Sequence, residues 1–194
     1  YEGLASFVKN DRFAIYFSSA AARDLFDDPE RKAYIAVGKN VVECPEADAL
    51  RFMGENASRA ILHDAKPAYK RLDAITENPV LHVTPGFDSL LAAFVLQSGR
   101  SAYGLRDLVQ GYLDIQPPSK PEEMAAALHL LEPALRDRLK KEEQEKVLDE
   151  VELPLVPILT EMERFGIRAD RDQLREFSKT LQIEIERVTQ LISQ

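Results

Sequence analysis

The sequence predicts an α/β fold in which a mixed β-sheet is packed by helices. Short apolar and aromatic runs of strand length, separated by turn residues, fill most of the first 60 residues. From residue 87 onward, apolar residues instead recur at the i, i+3, i+4, i+7 spacing of core-facing helices. A strand–helix–strand unit lies between these two regions, and this order of elements is typical of an α/β domain.

The strand-forming segments lie in the first half of the chain. Predicted strands occupy residues 12–17, 32–37, 41–44, 58–63 and 79–83. The second and third are joined by Gly38-Lys39-Asn40, which indicates a β-hairpin. Short helices are predicted over residues 45–55 and 66–72, and Asp64 stands where the second of these begins.

The second half of the chain predicts a series of helices. Apolar stripes mark helices over residues 87–95 and 105–113, and Pro121 suits the first turn of a longer helix that extends to residue 139. Pro133 is expected to kink that helix because proline lacks a backbone N–H. A charged segment follows at residues 142–150, in which Val147 and Leu148 are expected to face inward.

The most informative segment is the junction at residues 151–170. Pro154 and Pro157 prevent one helix from running through both undisturbed, so a helix is expected to restart at Pro157. Its apolar stripe comprises Ile158, Leu159, Met162 and Phe165. Gly166 then suits the left-handed residue that ends a helix, and Asp170 suits the N-cap of the next. That last helix carries a stripe of Leu174, Phe177, Leu181, Ile185, Val188 and Ile192, so the chain is predicted to end in a helical hairpin.

Composition excludes several classes of protein. The 194 residues carry a net charge of −8, and no basic face stands out, although a domain that grips nucleic acid by itself needs one. The single cysteine, Cys44, excludes an internal disulfide and suits the cytoplasm. The longest apolar run, at residues 90–96, is too short to span a membrane. Because the sequence starts at Tyr1 and stops within a helical pattern, we expect it to be a piece of a longer protein.

Common catalytic motifs do not explain this sequence. The three histidines and the cysteine lack zinc-site spacing, and there is no phosphate-binding glycine loop. Ser18 and Ser19 lack a convincing base partner for a hydrolase triad. The aromatic residues Phe52, Phe94, Tyr103 and Tyr112 fall on core-facing stripes or short apolar elements, which favours packing over base stacking.

The junction resembles the entrance to the polymerase domain of bacterial DNA polymerase I-type (family A) enzymes. Four shorter matches precede it in the family's order, at residues 13–15, 63–66, 87–96 and 103–108. The resemblance implies that residues 1–145 form a ribonuclease H-like 3′–5′ exonuclease (proofreading) domain. It also implies that residues 146–194 are the first helices of a truncated polymerase domain.

The resemblance also implies a metal site that this sequence does not fill. Active members hold two Mg²⁺ ions through Asp-x-Glu, a second Asp and a late Tyr-x-x-x-Asp motif. The first three of these carboxylates fall on Tyr16, Ser18 and Ala68, and no Tyr-x-x-x-Asp occurs near residues 120–124. Asp64 and Asp88 lie near the expected site. Asp64 as an N-cap and Asp88 in the first turn of its helix are the stronger interpretations.

The resulting hypothesis is a vestigial proofreading domain that supports a polymerase domain and is itself inactive. No metal or cofactor is expected in this chain, whereas the parent polymerase would use Mg²⁺, bind primer-template DNA, and work as a cytoplasmic, nucleoid-associated monomer. Two alternatives stay open at this point. The chain could be a metal-dependent exonuclease with a rearranged site, or a module whose cleft binds DNA or a protein.

Overall fold

The computed structural model describes residues 2–18, 31–76 and 83–192. The chain divides into two compact units, Tyr1–Arg164 and Phe165–Gln194. The first unit contains the sheet and most of the helices, and the second contains one long helix.

The first unit is built on a five-stranded mixed sheet in the order β3-β2-β1-β4-β5. The strands are β1 (Phe13–Phe17), β2 (Lys32–Val37), β3 (Asn40–Pro45), β4 (Ala60–Leu62) and β5 (Phe87–Asp88). β1 and β3 pair antiparallel with β2, and β4 pairs parallel with both β1 and β5. The predicted hairpin is confirmed, and Gly38 adopts the positive φ of +60° that its turn requires.

The helices follow the predicted order with several shifts. They are α1 (Glu2–Val8), α2 (Glu46–Glu55), α3 (Ala65–Ile75), α4 (Ser89–Leu96), α5 (Leu105–Leu113), α6 (Pro121–Lys141), α7 (Glu145–Val147), α8 (Leu153–Phe165) and α9 (Arg171–Ile192). A 3-10 turn (Ala57–Arg59) precedes β4, and a π-helical turn (Leu148–Glu152) joins α7 to α8. None of the described helices is long and apolar enough to cross a membrane.

Alternation along the strands places a hydrophobic core on each face of the sheet. Ala14 points into a cluster with Ile61, Phe87 and the apolar stripe of α6. Phe13 and Ile15 point into the opposite cluster, which is formed with α1, α2 and α3. The sheet is therefore covered on both sides, as the predicted α/β fold requires.

Two segments of the first unit differ from their predictions. Phe87 and Asp88 form β5 rather than the start of a helix, because they pair in register with Ile61 and Leu62. The helix α1 was not predicted, although Leu4 and Val8 pack at i, i+4 spacing against the core. Most of the predicted strand at 79–83 lies outside the described residues, and Val83 itself is not in a strand.

Gly86 allows the chain to approach the sheet closely just before β5. Its N–H donates to the Ala57 carbonyl at 2.8 Å. A Cβ atom at this position would overlap the carbonyl oxygen of Ser58. Only glycine therefore fits here without displacing backbone.

The junction begins earlier than predicted. Helical backbone runs from Glu145 to Phe165 through both prolines, and α8 starts at Leu153 rather than Pro157. Pro154 is tolerated because it lies in the first turn of α8, directly after the π-helical turn. The helix α6 also continues through Pro133, and the predicted kink there stays a prediction.

The inward faces of the junction also differ from prediction. Leu148 is fully buried as expected, but Val147 is 39% exposed. The predicted stripe of Ile158, Leu159, Met162 and Phe165 is exposed as well. In α8 the buried residues are Leu153, Val156, Pro157 and Thr160, one face of the helix that the stripe prediction missed.

The second unit is a helix with its predicted cap. The carboxylate of Asp170 accepts hydrogen bonds from the N–H groups of Asp172 and Gln173, which confirms its role as N-cap of α9. Gly166 has a φ of +67°, as expected at a helix end. No described residue of α9 is buried, and its apolar stripe is exposed. The helical hairpin itself stays a prediction.

Candidate functional site

A cleft of about 370 Å³ lies where the strands β1 and β4 end and α3 begins. We call it the β1–β4 cleft. Its lining residues are Ile15, Tyr16, Phe17, Ser18, Leu62, His63, Asp64, Pro67, Ala68, Arg71 and Leu105. Because β1 and β4 are parallel, the residues at their carboxyl ends meet at one edge of the sheet, where ligands of such sheets commonly bind.

The structure brings together in this cleft the three positions that the resemblance assigns to metal-binding carboxylates. Tyr16 and Ser18 come from the end of β1, and Ala68 comes from the first turns of α3. Ser18 is engaged, because its hydroxyl and its N–H both donate to the Lys32 carbonyl, at 3.3 and 3.2 Å. Ala68 is buried and supplies no donor atom for a metal.

The charged groups of the cleft do not suit a pair of divalent cations. Asp64 is the only carboxylate among its described lining residues. The guanidinium of Arg71 lies 4.5 Å from the ring centroid of Phe17 and 3.5 Å from a carboxylate oxygen of Glu46. Two Mg²⁺ ions need several oxygen ligands and no competing cation. The described residues of the cleft therefore do not fit the two-metal site that the resemblance implies.

Arg71 is fixed at the mouth of the cleft by its surroundings. Burial lowers the pKa of its guanidinium, and the charge of Glu46 opposes that effect. The Glu46 side chain is only 9% exposed, so this ion pair is shielded from solvent on the carboxylate side. The guanidinium of Arg71, three residues after Ala68 on α3, is therefore a fixed positive charge in the lining of the cleft.

Asp64 does not act as the predicted N-cap of α3. Its backbone adopts a left-handed conformation with φ of 57°, and its carboxylate makes no capping hydrogen bond. N-cap residues need an extended backbone to point their side chain at the first turn. Asp64 is therefore an exposed carboxylate at the edge of the cleft.

Asp88 caps two helices at once. Its Oδ1 accepts hydrogen bonds from the N–H groups of Leu90 (2.8 Å) and Leu91 (3.3 Å) in α4. The same carboxylate accepts from the N–H groups of Asp64 (3.2 Å) and Ala65 (2.7 Å) at the start of α3. Asp88 is the N-cap of α4 rather than a first-turn residue, and it also caps α3 in place of Asp64. It is 1% exposed and does not line the β1–β4 cleft.

We expect Asp88 to make stability depend on pH. Burial raises the pKa of its carboxyl group from 3.8 to about 6, although the four backbone hydrogen bonds lower it. A carboxyl group whose pKa is raised by folding stabilises the native state below its unfolded pKa, and that contribution disappears as pH rises through the folded value. The shift corresponds to roughly 3 kcal/mol, lost between about pH 4 and pH 6.

The measurement is urea denaturation of the wild type and Asp88→Asn at half-unit steps from pH 4 to pH 7. The difference between their free energies of unfolding isolates this group, because all other titrating groups are shared. We expect the wild type to lose stability relative to the variant as pH rises. A constant difference across the range would contradict the prediction.

His63 is held as a neutral side chain beside the cleft. Burial lowers the pKa of its imidazole to about 4, and its Nδ1 lies 2.9 Å from the hydroxyl oxygen of Ser89. Ser89 is fully buried, so this pair cannot present a nucleophile to a substrate. Among the described residues, no group of three or more His, Cys, Asp or Glu side chains is arranged to hold a metal ion.

Sequence reasoning found most of the cleft but missed Arg71. Tyr16, Ser18, Asp64 and Ala68 share the cleft as the family alignment implied, whereas Asp88 belongs to a neighbouring cavity with residues of α4 and α8. The signal for Arg71 was its position on α3 one turn after Ala68, which places both side chains on the same helix face.

The fold and the cleft define a class: an α/β domain with a mixed five-stranded sheet and a carboxylate-poor cleft at the ends of two parallel strands. No protein-family model matches the chain. Three curated proteins are similar in sequence to this chain, and each is a DNA polymerase I. The sequence-based resemblance to bacterial DNA polymerase I is thereby confirmed.

The relatives are much longer than this chain. The enzyme of Caldicellulosiruptor bescii is 26% identical over 166 residues, which cover 83% of this chain and 18% of that protein. The enzyme of Bacillus caldotenax is 31% identical over 130 residues, or 55% of this chain and 14% of that protein. The chain therefore spans less than a fifth of the length of these relatives.

A solved structure supports the fold. The POL domain of Pol1 from M. smegmatis, in complex with DNA primer-template and dNTP, matches with a TM-score of 0.70. The match covers 95% of this chain and 34% of that one, at 21% sequence identity. It shows that nearly the whole chain shares its fold with part of that protein.

Proposed function

We propose that this chain is the proofreading-like part of a DNA polymerase I and that it is inactive as an exonuclease. The β1–β4 cleft carries the proposal: Tyr16, Ser18 and Ala68, which the family resemblance assigns to the positions of metal-binding carboxylates, line it together, and Arg71 adds a cation beside them. Among the described residues of the cleft, Asp64 is the one carboxylate, which is too few oxygen ligands for the two-metal chemistry of 3′–5′ exonucleases. The fold we propose for residues 1–145 is ribonuclease H-like.

The role we propose for this domain is mechanical support of a polymerase domain. Both faces of the sheet are covered by helices, and the Arg71–Glu46 pair joins α3 to α2 at the edge where an active nuclease would bind metal. We propose that the helices packed on the sheet give this domain a structural role and that the cleft has no catalytic one. Residues 146–194 would be the first helices of the polymerase domain, although the two compact units divide later, after Arg164.

The proposal extends to the parent protein through its relatives. The parent would add nucleotides to a primer on a DNA template with Mg²⁺, using residues outside this chain. It would bind primer-template DNA as a monomer and act in DNA replication and repair in the bacterial cytoplasm, in association with the nucleoid. The rest of the polymerase chain would be the partner of this domain.

A nuclease assay tests the proposal directly. We expect no degradation of 5′-labelled single-stranded DNA by this chain in Mg²⁺ or Mn²⁺ above the rate of Asp64→Ala, because one carboxylate cannot hold two cations. The readout is the length distribution of the labelled strand on a denaturing gel. A proofreading-active DNA polymerase serves as the positive control. Shortening from the 3′ end that Asp64→Ala abolishes would overturn the proposal.

A further inference from the structure

Arg136 on α6 contacts four residues of the first unit. Its Nε donates to Glu132 (3.2 Å), and its Nη1 lies 3.1 and 3.2 Å from the two carboxylate oxygens of Asp149. Its Nη2 donates to the Gly86 carbonyl at 3.3 Å, and the guanidinium lies 5.1 Å from the ring centroid of Phe87. Burial alone would lower the pKa of Arg136, but its bonds with Asp149 and Glu132 raise it above its ordinary value.

Asp149 is the partner that belongs to the junction. It lies in the π-helical turn Leu148–Glu152, whereas Glu132, Gly86 and Phe87 belong to α6 and the β5 edge of the sheet. The Arg136 side chain is 27% exposed and that of Asp149 is 43% exposed. The inner partner, Glu132, is only 9% exposed. The Arg136–Asp149 bond is therefore the more exposed ion pair of Arg136, and it is the one that salt screens more strongly.

The π-helical turn is the point at which the helical backbone changes its register. Pro154 and Pro157 cannot donate to the carbonyls of Glu150 and Leu153, so the α-helical ladder is interrupted just after the turn. Single π-helical turns are wider than an α-helix, and they are found in functional positions more often than regular helix is. Because hydrogen bonds are missing beside the wide turn, we expect local opening of the helical run from Glu145 to Phe165 to begin at residues 148–157.

We propose that the Arg136–Asp149 pair is a latch that holds the helical segment of residues 145–164 against the sheet, and that releasing it opens this segment at the π-helical turn while the sheet stays folded. Arg136 is the positioning residue of this device. Its planar guanidinium uses a different nitrogen for each partner: Nε for Glu132, Nη1 for both oxygens of Asp149, and Nη2 for Gly86. The contacts with Glu132 and Gly86 fix the orientation of the guanidinium, and that orientation fixes the direction of its bond to Asp149. Leu148 and Leu153 are buried in the core, and they pack there again when the Arg136–Asp149 pair re-forms.

The latch goes beyond the proposed function and does not depend on it. It concerns only how residues 145–164 are held within the first unit, whether or not the fold cuts DNA. The nuclease assay and the test of the latch use different variants and different measurements, so their failures are distinguishable.

The test is hydrogen–deuterium exchange followed by mass spectrometry on the 194-residue chain and on Asp149→Asn. The substitution keeps the size of the side chain and removes its charge and one acceptor oxygen. We expect the amides of residues 148–162 to exchange about fivefold faster, and those of β1, β2 and α5 to keep their wild-type rates. In 1 M NaCl the wild type should approach the variant in this segment only, because salt screens the exposed pair.

A matched control separates a latch from ordinary loss of a surface charge. Arg138 and Glu142 form an ion pair at 2.6 Å on the same helix, α6, without touching the π-helical turn. Glu142→Gln should leave exchange at residues 148–162 unchanged. Arg136→Lys, which keeps the charge without the fork, should accelerate exchange in the same segment as Asp149→Asn. Unchanged exchange in Asp149→Asn, or an acceleration spread evenly over sheet and junction, would overturn the proposal.

Discussion

Replacing Asp88 with alanine is expected to lower the free energy of unfolding by about 3 kcal/mol at pH 5. The substitution removes the acceptor of four backbone N–H groups, two at the start of α3 and two at the start of α4. Losing one helix cap costs roughly 0.5–2 kcal/mol, and this side chain caps two helices in a site that water does not reach. Urea denaturation followed by circular dichroism measures the effect.

The pH chosen for this experiment matters. At pH 5 the carboxyl group of Asp88, whose pKa is about 6, is mostly protonated and carries little cost of buried charge. At pH 8 it is ionised, and its removal relieves that cost. We therefore expect the destabilisation by Asp88→Ala to be smaller at pH 8 than at pH 5. Asp64→Ala is the matched control, because Asp64 is exposed and caps nothing. Alanine suits the left-handed backbone at this position less well than aspartate, so we expect a loss of no more than about 1 kcal/mol. Equal effects of the two alanine variants would contradict the capping role of Asp88.

Replacing Glu132 with alanine is expected to destabilise the chain by about 2–4 kcal/mol. The Glu132 carboxylate forms ion pairs with Arg12, which directly precedes β1, and with Arg136 on the same helix. Arg12 Nη2 lies 2.5 Å from Oε1 of Glu132. Both guanidiniums also donate to the Gly86 carbonyl. Without Glu132, Arg136 keeps Asp149, but Arg12 is left with this shared neutral acceptor. The arginines are 40% and 27% exposed, which keeps the cost below that of a fully buried unpaired charge.

The same denaturation experiment measures this effect, and the chain offers its own control. Glu142→Gln removes an exposed carboxylate ten residues further along the same helix, where the ion pair with Arg138 contributes at most about 1 kcal/mol. Glu132→Gln should fall between the two, because the amide keeps one acceptor oxygen. A Glu132→Ala variant as stable as Glu142→Gln would show that the cluster does not hold α6 to the sheet.

Local signals in the sequence were sufficient for most of the elements. The hairpin at Gly38, the start of α6 at Pro121 and the cap of α9 at Asp170 are each fixed by residues within a few positions of one another. The strand β5 could not be predicted in this way. Its two residues, Phe87 and Asp88, are strand only because they pair with β4, more than twenty residues earlier in the chain.

The candidate site was likewise predicted only in part from the sequence. Tyr16, Ser18 and Ala68 were identified from the order of motifs, and the fold brings them into one cleft. The roles of the two nearby aspartates depended on backbone geometry that the sequence does not display. Asp64 precedes a helix and satisfies the N-cap pattern, yet its left-handed backbone leaves that role to Asp88, which lies on the neighbouring strand β5.

By itself, the sequence determined the α/β class, the order of most of its helices and strands and the resemblance to DNA polymerase I, because hydrophobic periodicity, turn residues and motif order are local properties. The tertiary structure decided which charged groups meet. Arg71 reaches Phe17 and Glu46, Asp88 caps two helices, and Arg136 joins the sheet to the π-helical turn. These contacts join residues far apart in the chain, and each depends on how the helices pack on the sheet, which no spacing within a single element encodes.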